Sequence, residues 1–252
     1  MHRCGVFRQA DMNCSSLKIL NRVQIKYIVI IAMLIDHIAW AFVPTMSAAG
    51  QIMHFVGRLT APTMSYMIAE GYNYTSNKQK YAFRLLLFSL ISWLPYTFFE
   101  HGRITPEISV IFALFLGYMS IWVWDRSGLI MELRIIMVIV FCLLSVTSDW
   151  GIFAVLWPLF FYIYRDDEKK KWIVFNIIAL LHWILNIIQD VQLGRGPLRC
   201  SFQIGVFLAP VLLVLLYNGK GGKNNAVNKW FFYIFYPLHL LILGLIKYGI
   251  LW

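Results

Sequence analysis

An aspartate and a histidine stand side by side, Asp36 and His37, inside the apolar run IKYIVIIAMLIDHIAWAFV. A carboxylate and an imidazole are the raw material of general acid–base or nucleophilic catalysis. Neighbours on a helix point about 100° apart, so Asp36 does not orient His37 as in a hydrolase dyad; each must find its partner on another helix. Arg58 is the simplest partner for Asp36, an ion pair that clasps the first two apolar runs and leaves His37 to face a cavity. His239, His182 and Asn186 extend the set, the last two sharing one helical face by their spacing of four.

These residues sit in a chain of 252 residues that is 60% hydrophobic, 17% aromatic and only 13% charged. With a mean hydropathy of +0.68 it has too little polar surface to coat a water-soluble globule. Nine apolar runs, centred on 25–43, 52–69, 84–99, 107–124, 133–148, 150–164, 171–188, 203–217 and 230–248, predict an all-α, polytopic transmembrane helical bundle. Seventeen of the 22 Lys and Arg residues fall on alternate connectors, which predicts a cytoplasmic N-terminus, an outside C-terminus and a multi-pass protein of the plasma (inner) membrane. Topology thus accounts for the net charge of +10 without nucleic acid as a partner. Residues 1–24 read as a cytoplasmic N-terminal segment, loosely ordered over 1–16 and lacking an apolar core of signal-peptide length; 25–252 form the transmembrane domain. Cys4, Cys14, Cys142 and Cys200 show neither CxxC nor paired histidine spacing, so they read as ordinary thiols, with no metal site.

An ionisable side chain within a span costs about 2.5–3.5 kcal/mol on insertion scales, so each needs a partner or a job. At ~1.5 Å per residue, Asp36 lies ~16 Å from the basic end of the first run and Arg58 ~9 Å from the far end of the second. His182 and His239 come out at ~15 and ~14 Å, so four runs place polar groups at similar depth. Pro62 and Pro237 cannot donate to the carbonyls of Arg58 and Tyr233, which predicts broken backbone at this level, tolerated where it lines a wet cavity. For His182 an ordinary helix-to-helix hydrogen bond is the plainer reading.

At the basic ends of the second and third runs, EGYNYTSNKQKYAFR supplies Glu70, Lys78, Lys80 and Arg84, a set suited to the phosphates of a donor such as coenzyme A. Lys78 and Lys80 also fit simple topological anchoring, while Glu70 and Arg84 are expected to face each other across the turn. On the opposite side SDWG places Asp149 in a tight connector, either to receive an amine or hydroxyl acceptor or simply to form the turn before Gly151.

The blocks LKIL…MLIDHIAW, VGRLTAPTMSYMIAEGYNYTSNKQKYAFRLL, SDWG, YNGKGG and NKWFFYIFYPLHLLIL resemble, in order, the TraX family of integral membrane proteins, from Leu17 to Leu243. The resemblance implies an acyltransferase that moves an acetyl group from acetyl-CoA at the cytoplasmic face to a peptide, pilin or glycan acceptor. The family's Asp-His pair falls on Asp36 and His37, its GR-x(3)-P element on Gly57, Arg58 and Pro62, its EG element on Glu70 and Gly71, and its YPLH element on Tyr236, Pro237 and His239. The fourth run departs from the family's Asn-Val-x-Phe-Thr pattern, reading ISVIFAL with Ser109 and Ala113 in place of the amide and hydroxyl.

In an acyl transfer His37 is the general base or a transient acyl carrier, Arg58 orients Asp36 or stabilises the tetrahedral oxygen, and His239 lines the opposite wall with Tyr236. A transporter or proton-coupled channel using Asp36, His37 and Arg58 as relay or gate is the competing class, though the sequence has no inverted repeat. A non-catalytic assembly factor of a secretion or conjugation machine is a third. Label transfer from acetyl-CoA separates the first from both others.

Overall fold

The computed structural model describes residues 17–126, 128–222 and 226–249; the expected loose segment 1–16, Cys4 and Cys14 lie outside them. Among the described residues there is no strand, only two isolated parallel bridges, Leu20 with Tyr217 and Ile108 with Ser148. The described residues form ten helices in succession: α1 (Arg22–Phe42), α2 (Ala48–Gly57), α3 (Thr60–Tyr74), α4 (Lys78–His101), α5 (Val110–Asp125), α6 (Met131–Leu144), α7 (Gly151–Ile163), α8 (Glu168–Gln192), α9 (Pro197–Leu216) and α10 (Ala226–Lys247). The composite α9 is 3-10 over Pro197–Phe207, turns α at Leu208–Val211 and ends in a π turn at Leu212–Leu216.

Every apolar run is helical, but the count of nine spans does not follow from the helix lengths. Among the described residues five helices are long and apolar enough to cross a membrane: α1, α4, α8, α9 and the Trp230–Lys247 part of α10. The 16 residues of α5 and the 13 of α7 rise only ~24 and ~20 Å, against ~30 Å of hydrocarbon. The second run is not one helix either, since it breaks at Arg58 and Leu59 between α2 and α3. Pro62, in the first turn of α3, has no N–H for the Arg58 carbonyl, and the chain turns there as its sequence requires. By contrast, α10 runs unbroken through Pro237, so the expected second break is absent.

Caps set the helix starts. Asn21 and Gln24 form a reciprocal capping box at α1, Asn77 accepts from Lys80 N at α4, and Asp167 accepts from Lys170 N at α8. The hydrogen bonds from the Lys170 backbone and side chain hold the Asp167 carboxyl below the usual carboxylate range. Residues 17–21 are tied in as well: Leu20 N donates to Leu216 O at 2.9 Å, and Arg22 N to Lys220 O at 2.8 Å.

The main core gathers around Val29, Tyr72, Tyr118, Trp157 and Phe175, and a smaller one holds Tyr96, Phe99, Tyr236 and Leu240 between α4 and α10. Up-and-down neighbours bring the basic connectors to one end, where Asp125 accepts from Tyr72 at 2.7 Å, from Lys78 at 3.0 Å and from Tyr162. Helix α2 approaches its neighbours through glycines: a Cβ on Gly57 would lie 2.7 Å from Asp36 Oδ1, and one on Gly205 of α9 would strike the Phe55 backbone.

Candidate active site

A cavity of about 390 Å³ runs inside the bundle from the basic end to Asp36 and His37. That volume falls in the range of small-molecule sites. Its mouth includes Arg22, Lys26 and Arg84, its apolar middle Met33, Met64 and Leu114, and its inner end Asp149, Trp150 and Tyr236.

At the inner end α1 and α2 meet through a buried clasp. Arg58 Nη2 donates to Asp36 Oδ2, and His54 Nδ1 lies 2.7 Å from Asp36 Oδ1. A carboxylate only accepts, so His54 Nδ1–H is the donor in this pair, while Nε2 has no hydrogen-bond partner among the described residues. Three aromatic rings close over the clasp: Trp40 at 4.2 Å from the His54 ring, Trp150 at 4.7 Å and Phe202 at 5.4 Å from the guanidinium. Loss of either partner of this pair strands a charge in a buried site. Asp36 and Arg58 pair as expected, while His54 is a third member that the sequence reading overlooked. Its spacing of four from Arg58, which puts both on one helical face, was the available signal.

His37 points the other way from its neighbour, as the 100° rule requires. Its Nδ1 lies 2.8 Å from His239 Nε2, and His239 Nδ1 lies 2.8 Å from the Phe235 carbonyl oxygen. The carbonyl can only accept, so His239 is protonated on Nδ1 and its Nε2 offers a lone pair. His37 Nδ1–H must therefore be the donor, which leaves the lone pair of His37 on Nε2. Phe99 and Tyr236 hold the His37 ring edge-on at 5.5 and 6.3 Å.

Other expected residues fall differently. Tyr236 and Asp149 line the cavity, whereas His239 stands behind His37, outside the lining. His182 and Asn186 are also outside it: His182 stacks on Trp150 at 5.1 Å, and Asn186 bridges its own helix and Gln203 of α9. The helix-to-helix hydrogen bond expected of His182 is not seen among the described residues, its buried Nδ1 having no partner; the ring instead packs on Trp150, which lies between it and Arg58. Arg58 too lies outside the lining, so of its two expected roles the geometry fits the one of orienting Asp36.

The basic set is also redrawn. Glu70 pairs with Arg22 at 2.7 Å and accepts from Tyr217, and it does not face Arg84. Lys78 is engaged with Asp125, and neither it nor Lys80 reaches the cavity. Arg84 does line it, joined by Arg22 and Lys26 of α1, because one turn of helix separates a side chain aimed inward from one at the rim.

The description "TraX protein" belongs to a family model that matches residues 21–247. The chain is 30% identical over 229 residues to a protein of Dichelobacter nodosus named "Probable fimbrial assembly protein FimC, serogroup H1", an alignment covering 87% of this chain and 93% of that one. No solved structure matches. With the family model spanning nearly the whole bundle, including both halves of the Asp36–Arg58 clasp and the His37–His239 pair, the chain belongs to the TraX family.

Proposed function

We propose that this protein is a membrane-bound acyltransferase that moves an acetyl group from acetyl-CoA to an amine or hydroxyl acceptor. The observation that carries the reading is His37: a cavity-lining imidazole whose other nitrogen is committed to His239, so that Nε2 is the basic atom. Supporting it are the matching family and a relative named for fimbrial assembly, and the acceptor proposed here is a peptide, pilin or glycan. In the proposed topology nine apolar segments lie in the inner membrane, with the N-terminus and the basic cavity mouth facing the cytoplasm and the C-terminus outside.

The donor enters from the basic end with its thioester beside His37. As the acceptor's nucleophilic N or O attacks the thioester carbonyl, His37 Nε2 takes its proton. Tyr236, whose side chain lines the same end, supplies a hydroxyl donor to the developing oxyanion. Collapse of the tetrahedral intermediate breaks the C–S bond, and the leaving thiolate receives the proton back from His37. His239 holds the imidazole in its tautomer throughout, while the Asp36–Arg58–His54 clasp fixes α2 against α1 and so shapes the chamber. Asp149, at the far wall, faces the acceptor.

The test is transfer of radiolabel from acetyl-CoA to membranes or to acceptor peptides by purified protein in lipid nanodiscs, with release of free thiol. Wild type is expected to transfer and His37→Ala to be inactive while still folded. A fully active His37→Ala protein removes the assignment; a transporter or assembly factor gives no thiol release at all.

A further inference from the structure

Lys26 and Arg84 enter the cavity from opposite walls, α1 and α4, and neither has a carboxylate within ion-pair distance among the described residues. Each lies against an aromatic ring instead, Lys26 at 5.4 Å from Phe232 and Arg84 at 5.5 Å from Tyr81; Arg84 also meets the Tyr233 hydroxyl, while its Nε is buried with no hydrogen-bond partner among the described residues. Arg22 stands one turn nearer the rim, already paired with Glu70. Two cations bordering one cavity, with Glu70, already paired to Arg22, as the carboxylate whose charge Lys26 feels, remain costly to bury until a further anion joins them.

We propose that Lys26 and Arg84, with Arg22 at the rim, bind the phosphate groups of the thioester donor, and that this basic mouth selects coenzyme A esters over thioesters without phosphate. The proposal rests on the acyltransferase reading above and goes beyond it by placing the donor's charged end.

Length supports the placement. Lys26 precedes His37 by eleven residues on the same straight helix, ~16 Å along its axis. Between the thioester carbon and the first phosphate, the donor's arm joins a cysteamine, a β-alanine and a pantoyl unit, about as long as four or five extended residues, ~15 Å. With phosphate at Lys26 and Arg84, the carbonyl therefore arrives at His37. The lining between them, Met33, Met64 and Leu114, is apolar and suits an uncharged arm. An anionic lipid headgroup shares the phosphate chemistry, but it would fill only the rim and leave this interior shaft unused.

The experiment compares acetyl-CoA with S-acetylpantetheine, which has the same reacting end and no phosphate, on protein in phosphatidylcholine nanodiscs. Wild type is expected to show a KM for acetyl-CoA at least tenfold lower than for the short donor. In Lys26→Gln/Arg84→Gln that advantage disappears, with the KM for acetyl-CoA rising tenfold or more and the short donor unaffected; Lys26→Arg/Arg84→Lys retains most of it. Equal effects on both donors, or none, overturn the phosphate site while leaving the acyltransferase reading in place. If neither donor reacts, calorimetric binding of coenzyme A decides the site independently: tenfold weaker binding in the double Gln variant supports it, and unchanged or absent binding overturns it. Phosphatidylglycerol nanodiscs provide the remaining arm. Loss of coenzyme A binding there, by competition that the double Gln variant relieves, assigns the cations to a lipid headgroup and overturns the donor assignment. Thermal denaturation of each variant verifies folding.

Discussion

His37 Nδ1 and His239 Nε2 lie 2.8 Å apart across the α1–α10 interface, and the Phe235 carbonyl behind His239 decides which ring donates. Replacing His239 with Phe removes the acceptor and frees the His37 ring to take either tautomer. We expect kcat to fall by about 10²-fold or more with donor KM changed little. Gln at 239 offers an amide oxygen that accepts from Nδ1–H, so His239→Gln should recover part of the lost kcat. Steady-state kinetics of the two variants separates tautomer control from simple packing, which both substitutions disturb.

Breaking the Asp36–Arg58 clasp strands a charge. Asp36→Asn leaves the buried guanidinium without its anion and should cost about 3–5 kcal/mol of stability. Asp36→Asn/Arg58→Met, which removes both charges, is expected to be more stable than Asp36→Asn alone, measured by thermal denaturation in detergent. A sum of independent single effects would show instead that the pair does not act as a unit.

Gly57 is the contact that lets α2 close on Asp36. Gly57→Ala puts a methyl into the carboxylate, so either α2 backs away or the Asp36 side chain rotates off Arg58 and His54. The expected cost is about 1–3 kcal/mol, with activity reduced more than tenfold even where folding is retained. Gly128, with nothing within 4 Å of its would-be Cβ, serves as the control, and Gly128→Ala should behave as wild type in both measurements.

Lys78 and Lys80 test the redrawn mouth. Since Lys78 is engaged by Asp125 and neither lysine lines the cavity, Lys78→Ala and Lys80→Ala should leave the KM for acetyl-CoA within about twofold. Lys78→Ala should slightly lower thermal stability, because Asp125 loses one of its three donors. A tenfold rise in KM for either variant would return the phosphate contacts to the α3–α4 turn.

The residue order alone determined a good deal. Apolar runs too long and too poor in charge for a soluble core must become helices, because only helices satisfy their own backbone in a dry environment, and all nine runs are helical. Two opposite charges at similar depth in consecutive runs must also find each other, since neither can be left alone there; hence Asp36 and Arg58. Pro62 marked the break between α2 and α3 because a missing N–H is a local property.

What tertiary structure decided was every choice among chemically equivalent candidates. Seven or more basic residues crowd one end of the bundle, and only helix rotation determines that Arg22, Lys26 and Arg84 face inward while Lys78 turns to Asp125. His182 and His239 sit at similar depth in the sequence, yet one stacks on Trp150 and the other meets His37. The spacing of four between His54 and Arg58 puts both on one helical face, but only the docking of α2, glycine first, against Asp36 brings His54 to the carboxylate. Hydropathy is read along a chain, one residue at a time, whereas facing is set by how neighbouring helices rotate and pack against one another.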